Sequence, residues 1–168
     1  MKVLTTLLKT DSSITMALLR VTLGAVFFPH GAQKALGWFG GHGFSGTMGF
    51  FTSQMGIPAL FAFLAIAAEF AGAIALILGA GTRIAALGIA SVMGVAIATV
   101  HGQFGFFMNW TGTQQGEGFE YHLLALAMAV TLVLRGAGAL SVDEVLARKL
   151  EPVTEPKSGA LAPVLRNS

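Results

Sequence analysis

At 168 residues, with 54% hydrophobic and only 11% charged side chains, the chain is far from the soluble balance of about 25% charged; this excludes an ordinary soluble domain and leaves room for about four membrane spans of roughly 20 residues. The net charge of +2 comes from ten Lys and Arg residues that never form a dense run, which argues against a nucleic-acid surface. With no cysteine there is no disulfide, thiolate ligand or thiol nucleophile, so any redox chemistry must come from a bound cofactor or a partner chain.

Residues 1–12 read as a short cytoplasmic N-terminus carrying Lys2 and Lys9. The first apolar run, 14–29, holds Arg20 and continues through His30-Gly31-Ala32-Gln33-Lys34 to a loop. The arginine, and the lack of a small-x-small cleavage site before the loop, set this run apart from a secretory leader. The second run, 58–78, is broken only by Glu69; Pro58 suits a first helical turn and Gly79-Ala80-Gly81 its end. The third, 84–100, carries no charge and ends at His101, and the fourth, 121–134, is short enough that it should begin nearer Phe119 or be shielded by neighbours. The expected fold is therefore an all-α membrane protein, a bundle of four transmembrane helices within residues 13–145, followed by a flexible cytoplasmic tail, 146–168, rich in Pro, Ser, Gly and Glu beyond Leu150.

Only Lys34 lies in the first connection and no Lys or Arg lies between His101 and Glu120, whereas Arg83 occupies the second connection and Arg135, Arg148, Lys149, Lys157 and Arg166 follow the last span. The positive-inside rule places both termini in the cytoplasm and residues 36–57 and 102–119 outside, with Trp38 and Trp110 as interface anchors. The stretch 44–57 is expected to form a short helix flat on the membrane surface.

A charge in lipid costs roughly 2.5 to 3.5 kcal/mol on insertion scales, so Arg20 and Glu69 are the first candidate site residues. Ala65, Ala68, Gly72, Ala75 and Gly79 form a small-residue stripe with Glu69 about 40° from it, so Glu69 should face protein. Ala90, Gly94 and Ala98 make a similar ridge on the third span, and Arg20, Gly24, Phe27, Gly31 and Lys34 share a face of the first, with His30 on its flank. Counted along the helices, Arg20 lies roughly 10 Å and Glu69 roughly 16 Å in from opposite surfaces, which predicts a contact between them near the midplane. Such a pair could serve a site or only fix which helices adjoin. His30, His101 and His122 fall near the outer ends of spans, with Glu120 two residues before His122, so an outward-opening polar cluster is expected, while His42 in its glycine-rich loop is expected to be solvated. Imidazole also suits zinc, copper or iron, but no two histidines have i, i+4 spacing and no cysteine joins them, so no metal is assigned.

The run Leu18-Leu19-Arg20-Val21-Thr22-Leu23-Gly24, then Phe28-Pro29-His30-Gly31-Ala32-Gln33-Lys34, Ala68-Glu69-Phe70-Ala71-Gly72 and Leu78-Gly79-Ala80-Gly81-Thr82-Arg83, resembles the DoxX family of small bacterial membrane proteins. The resemblance continues through Val100-His101 and Gly118-Phe119-Glu120-Tyr121 and covers about residues 14–145; His122 stands where family members often carry another residue. It implies a four-helix protein of the bacterial inner membrane and a link to quinone or sulfur redox chemistry, since a related branch forms the membrane subunit of a thiosulfate:quinone oxidoreductase.

The leading expectation is a membrane subunit that binds a quinone or similar small aromatic in the outward half of the bundle. His30 and His101 would act as proton and hydrogen-bond partners, and Lys34, Glu120 and His122 would complete the binding set, with Arg20 and Glu69 beneath. Electrons would come from a redox partner protein or a diffusing reductant. The alternative is a non-catalytic scaffold or small-solute conduit; either form leaves room for a homo-oligomer.

Overall fold

The computed structural model describes residues 2–150, with side chains from Thr5 onward. The described residues contain helices and no strand: α1 (Lys2–Leu8), α2 (Ile14–Leu36), α3 (Gly43–Gly49), α4 (Ala59–Leu78), α5 (Thr82–Ala96), α6 (Glu120–Arg135) and α7 (Val142–Leu150). A wide turn over Phe50–Gln54 continues α3, so a helical stretch is present within 44–57, where a short helix was expected. Two further turns, Ile97–His101 and Gly102–Phe104, carry α5 onward as one helical stretch to Phe104. By length and composition α2, α4 and this extended α5 could each cross a membrane, whereas α6 has only 16 residues. Three apolar helices of that kind are thus present where four were expected.

Helix ends follow the local sequence. The Ser13 hydroxyl accepts the Met16 N–H at the start of α2, and Gly37, at φ 75°, closes it. Gly79, at φ 69°, ends α4, and the Ala80 N–H returns to the Ala75 carbonyl.

Helix α2 packs on α4, α4 on α5, α5 on α6 and α6 back on α2. Leu23, Phe27, Leu76, Ile89, Met93 and Leu132 lie in the core between them. The α2–α4 contact is close: a Cβ at Gly31 would stand 2.5 Å from the Phe70 Cα. Small residues thus let two backbones meet, as helices in lipid require. On α5 the expected ridge of Ala90, Gly94 and Ala98 is not the buried face, because Gly94 and Ala98 are exposed and Ala85, Ala86, Ile89 and Met93 turn inward. That helix is apolar all round, so small-residue spacing had more than one face to fit. Outward, Leu18, Leu60, Phe61, Leu87, Val95 and Leu124 are left bare, as suits a lipid-facing surface.

Arg83 at the start of α5 hydrogen-bonds Val133 and Leu134 at the end of α6, and His101 meets His122 at the other end, so the two helices run antiparallel along their whole depth. The Lys9 carbonyl, the α4–α5 turn and the start of α7 gather at the Arg83 end, with the Asp143 N–H on the Gly79 carbonyl at 2.9 Å. Residues 146–150, expected in the tail, complete α7, where Glu144 and Arg148 pair at 2.7 Å one turn apart. The remainder of that tail lies outside the described residues.

Candidate functional site

Glu69 is 4% exposed in the middle of α4 and faces protein. Its partner is Lys34, whose ammonium lies 2.5 Å from Oε2. The expected pairing of Glu69 with Arg20 is not made. Arg20, 1% exposed, sends Nη1 to the Leu76 and Ile77 carbonyls at 2.5 and 2.7 Å, Nε to Ala137 at 2.9 Å and Nη2 to Leu140 at 3.1 Å. The last carbonyls of a helix have no intrahelical donor and carry the negative end of its dipole, so they answer the guanidinium as a carboxylate would. Leu76 is seven residues, or about 10 Å, along α4 from Glu69, and Arg20 lies level with the former.

Asp143 completes this end: its carboxylate accepts the N–H groups of Gly81 and Thr82 at 2.7 and 2.8 Å, capping α5. Sequence reasoning passed over Asp143 because it follows the last span. The signal was the glycine-bracketed turn 79–81, which leaves orphan amides that need an acceptor. Arg20 and Asp143 together clasp the end of α4, the start of α5 and the 137–140 turn.

The other end holds the polar cluster. His101 and His122 lie with ring centroids 4.1 Å apart. The His101 Nδ1 is 2.8 Å from the Glu117 carbonyl; a carbonyl only accepts, so Nδ1 carries the proton and, in the neutral ring, Nε2 is left as acceptor. His122 is buried, and its Nδ1 has no hydrogen-bond partner. Beside it the Tyr121 hydroxyl is also buried without a partner. Tyr121 was not singled out from sequence, although an N-terminal tyrosine on an apolar span next to a histidine could have marked it.

The Tyr121 ring stacks on Phe27 at 6.3 Å, and Phe27 in turn meets His30 at 6.3 Å. His30 therefore adjoins the cluster through Phe27 and is exposed on its own helix, so two of the three histidines meet directly. Gly31, next to His30, packs against the backbone of Glu69, which brings the Lys34–Glu69 pair into the same neighbourhood. Glu120 turns to the loop instead: Oε1 accepts the Met108 N–H at 2.9 Å and the Trp110 indole N–H at 3.1 Å. Its carboxylate ties the loop before α6 to the start of that helix, and that of Glu117 accepts the Asn109 N–H at 2.7 Å within the loop. Phe28 stacks on Phe70 at 6.0 Å, and Phe106 and Phe119 meet edge to face at 5.7 Å. Among the described residues no group of three or more His, Asp or Glu side chains could hold a metal ion. Tyr121 and His122, with ring centroids 5.6 Å apart, thus each bury a polar atom without a partner among aromatic rings.

The DoxX family model matches residues 15–102. A curated protein of Bacillus subtilis (strain 168), named "Putative oxidoreductase CatD", is 32% identical over 126 residues, covering 75% of this chain and 82% of its own. No solved structure matches the chain.

Proposed function

The chain belongs to the DoxX family of membrane proteins, and on that premise we propose that it is an integral membrane subunit of a redox system which binds a quinone or a similar small aromatic between Tyr121, His122 and Phe27. The observation that carries this reading is the pair of orphans, the Tyr121 hydroxyl and the His122 Nδ1. Each costs about 1 to 3 kcal/mol to leave unsatisfied when buried, and a quinone oxygen accepts what a hydroxyl donates. The B. subtilis relative's name supports oxidoreductase chemistry as the class.

A quinone, when bound, supplies the electron-accepting group that this cysteine-free chain lacks. The chain's own residues would bind and orient it: Tyr121 as donor, His122 as donor or acceptor, and Phe27 as the flat apolar wall. His101, held by the Glu117 carbonyl with its ring centroid 4.1 Å from that of His122, would serve as the proton partner. The Lys34–Glu69 pair holds a compensated charge beneath. A partner protein or diffusing reductant would supply electrons.

The same reading makes α6 the fourth crossing. At about 1.5 Å per residue it is about 24 Å long, its ends reach both ends of α5, and Leu123, Leu124, Val130 and Leu134 are bare. With four crossings both described termini lie on one side, which the grouping of Lys9, Arg83, Arg135, Arg148 and Lys149 there makes the cytoplasmic side of a bacterial inner membrane.

Tyr121→Phe tests the proposal, because the hydroxyl has no partner within the free protein. Thermal stability should be unchanged or slightly raised, while binding of a short-chain ubiquinone or menaquinone analogue weakens by about tenfold, or about 1.4 kcal/mol. Equal binding by the wild type and Tyr121→Phe would remove the site. Absence of saturable binding by the wild type would leave the scaffold or conduit in its place.

A further inference from the structure

At the end of the molecule opposite the histidines, an open groove of about 360 Å³ lies between α1, α5 and α6. Leu7, Ile84, Leu87 and Val133 form its walls, and Lys9 and Arg83 stand at it as the charged residues. Ile84 and Leu87 are 64% and 57% exposed on a helix apolar enough to cross a membrane, so the groove opens where lipid chains would lie. The Arg83 guanidinium donates to the carbonyls of Val133, Leu134 and Lys9, and its Nε–H is buried without a hydrogen-bond partner. No ion pair neutralises Arg83 or Lys9 among the described residues. Asp11, which feels the charge of Arg83, is engaged by Arg135 at 2.8 Å.

We propose that this groove is a binding site for an anionic phospholipid, one acyl chain lying along Leu7, Ile84, Leu87 and Val133 with the phosphate against Lys9 and Arg83. Two cations without a carboxylate partner, beside apolar walls bare on a lipid-facing helix, call for a ligand with an anionic head and a hydrocarbon body. A zwitterionic headgroup would bring a third cation to the rim, and a free phosphate would leave the walls unused. The lipid would join α1 to α5 and α6, at the end where the α4–α5 turn and α7 also meet.

The test uses the full chain in detergent, stripped of lipid and titrated with phosphatidylglycerol, phosphatidylcholine or inorganic phosphate, with retained lipid counted by native mass spectrometry. Phosphatidylglycerol should be held at least about tenfold more tightly than phosphatidylcholine, and equimolar inorganic phosphate should not displace it. Lys9→Gln, which removes no hydrogen bond made by the described side chains, should weaken retention about fivefold. Leu87→Trp fills the groove from an exposed position and should abolish retention with the fold intact. Equal retention of both lipids, displacement by inorganic phosphate, or wild-type retention by both variants would overturn the site.

Discussion

Lys34 and Glu69 meet at 2.5 Å across the α2–α4 contact, two turns from the level at which Arg20 is held by backbone carbonyls. The buried charges of Glu69 and Arg20 are thus answered separately, one by an ion pair and one by a helix end. Lys34→Met should leave Glu69 unpaired at 4% exposure and lower stability by about 2 to 3 kcal/mol, less than the 3 to 5 of a fully buried pair because the Lys34 side chain is 27% exposed. Adding Glu69→Gln should recover most of the loss in detergent melting.

Arg20→Met should cost at least about 3 kcal/mol, because it strips donors from carbonyls at the end of α4 and in the 137–140 turn. Glu69→Gln should not rescue it, and the losses from the two changes should add within about 0.5 kcal/mol. A rescue would restore the direct coupling that the geometry denies.

Gly31→Ala should separate α2 from α4, since the new methyl would sit 2.5 Å from the Phe70 Cα and 2.6 Å from the Glu69 carbonyl oxygen. The expected cost is about 1 to 3 kcal/mol by melting. Gly94→Ala, with nothing within 4 Å of the added carbon, should cost nothing measurable.

The Ser12 hydroxyl, and after it the Arg148 guanidinium, hold the Glu144 carboxyl below its ordinary value of 4.5. A carboxyl whose folded value is depressed contributes stability that is fully present above the ordinary value and is lost as pH falls through the lowered one. Amide protection factors over α7, taken relative to intrinsic exchange at each pH, should therefore fall once pH drops below about 4.5, and Glu144→Gln should flatten that dependence.

Much of this arrangement was legible from residue spacing. The face of α2 bearing Arg20, Gly24, Phe27 and Gly31 is buried as periodicity implied, and Glu69 turns inward beside Gly72. The partner of Arg20 was not legible, because carbonyls carry no signature in side-chain identity and two of its acceptors belong to residues 137 and 140. Depth counting also spread the spans evenly, whereas Arg20 meets the end of α4. Of the histidines, the meeting of His101 with His122 depends on the turns that carry α5 past Ala96, and sequence spacing does not set those. The orphan Tyr121 hydroxyl emerged only from packing, since whether a buried group finds a partner depends on every neighbour at once.

Photoaffinity labelling tests the proposed quinone binding at Tyr121 and His122 most directly. A photoreactive quinone analogue irradiated with the purified protein should label peptides carrying Phe27–His30 and Tyr121–His122, and excess unmodified quinone should suppress that labelling. Labelling confined to the lipid-facing surface, unaffected by competitor and unchanged in Tyr121→Phe, would contradict it.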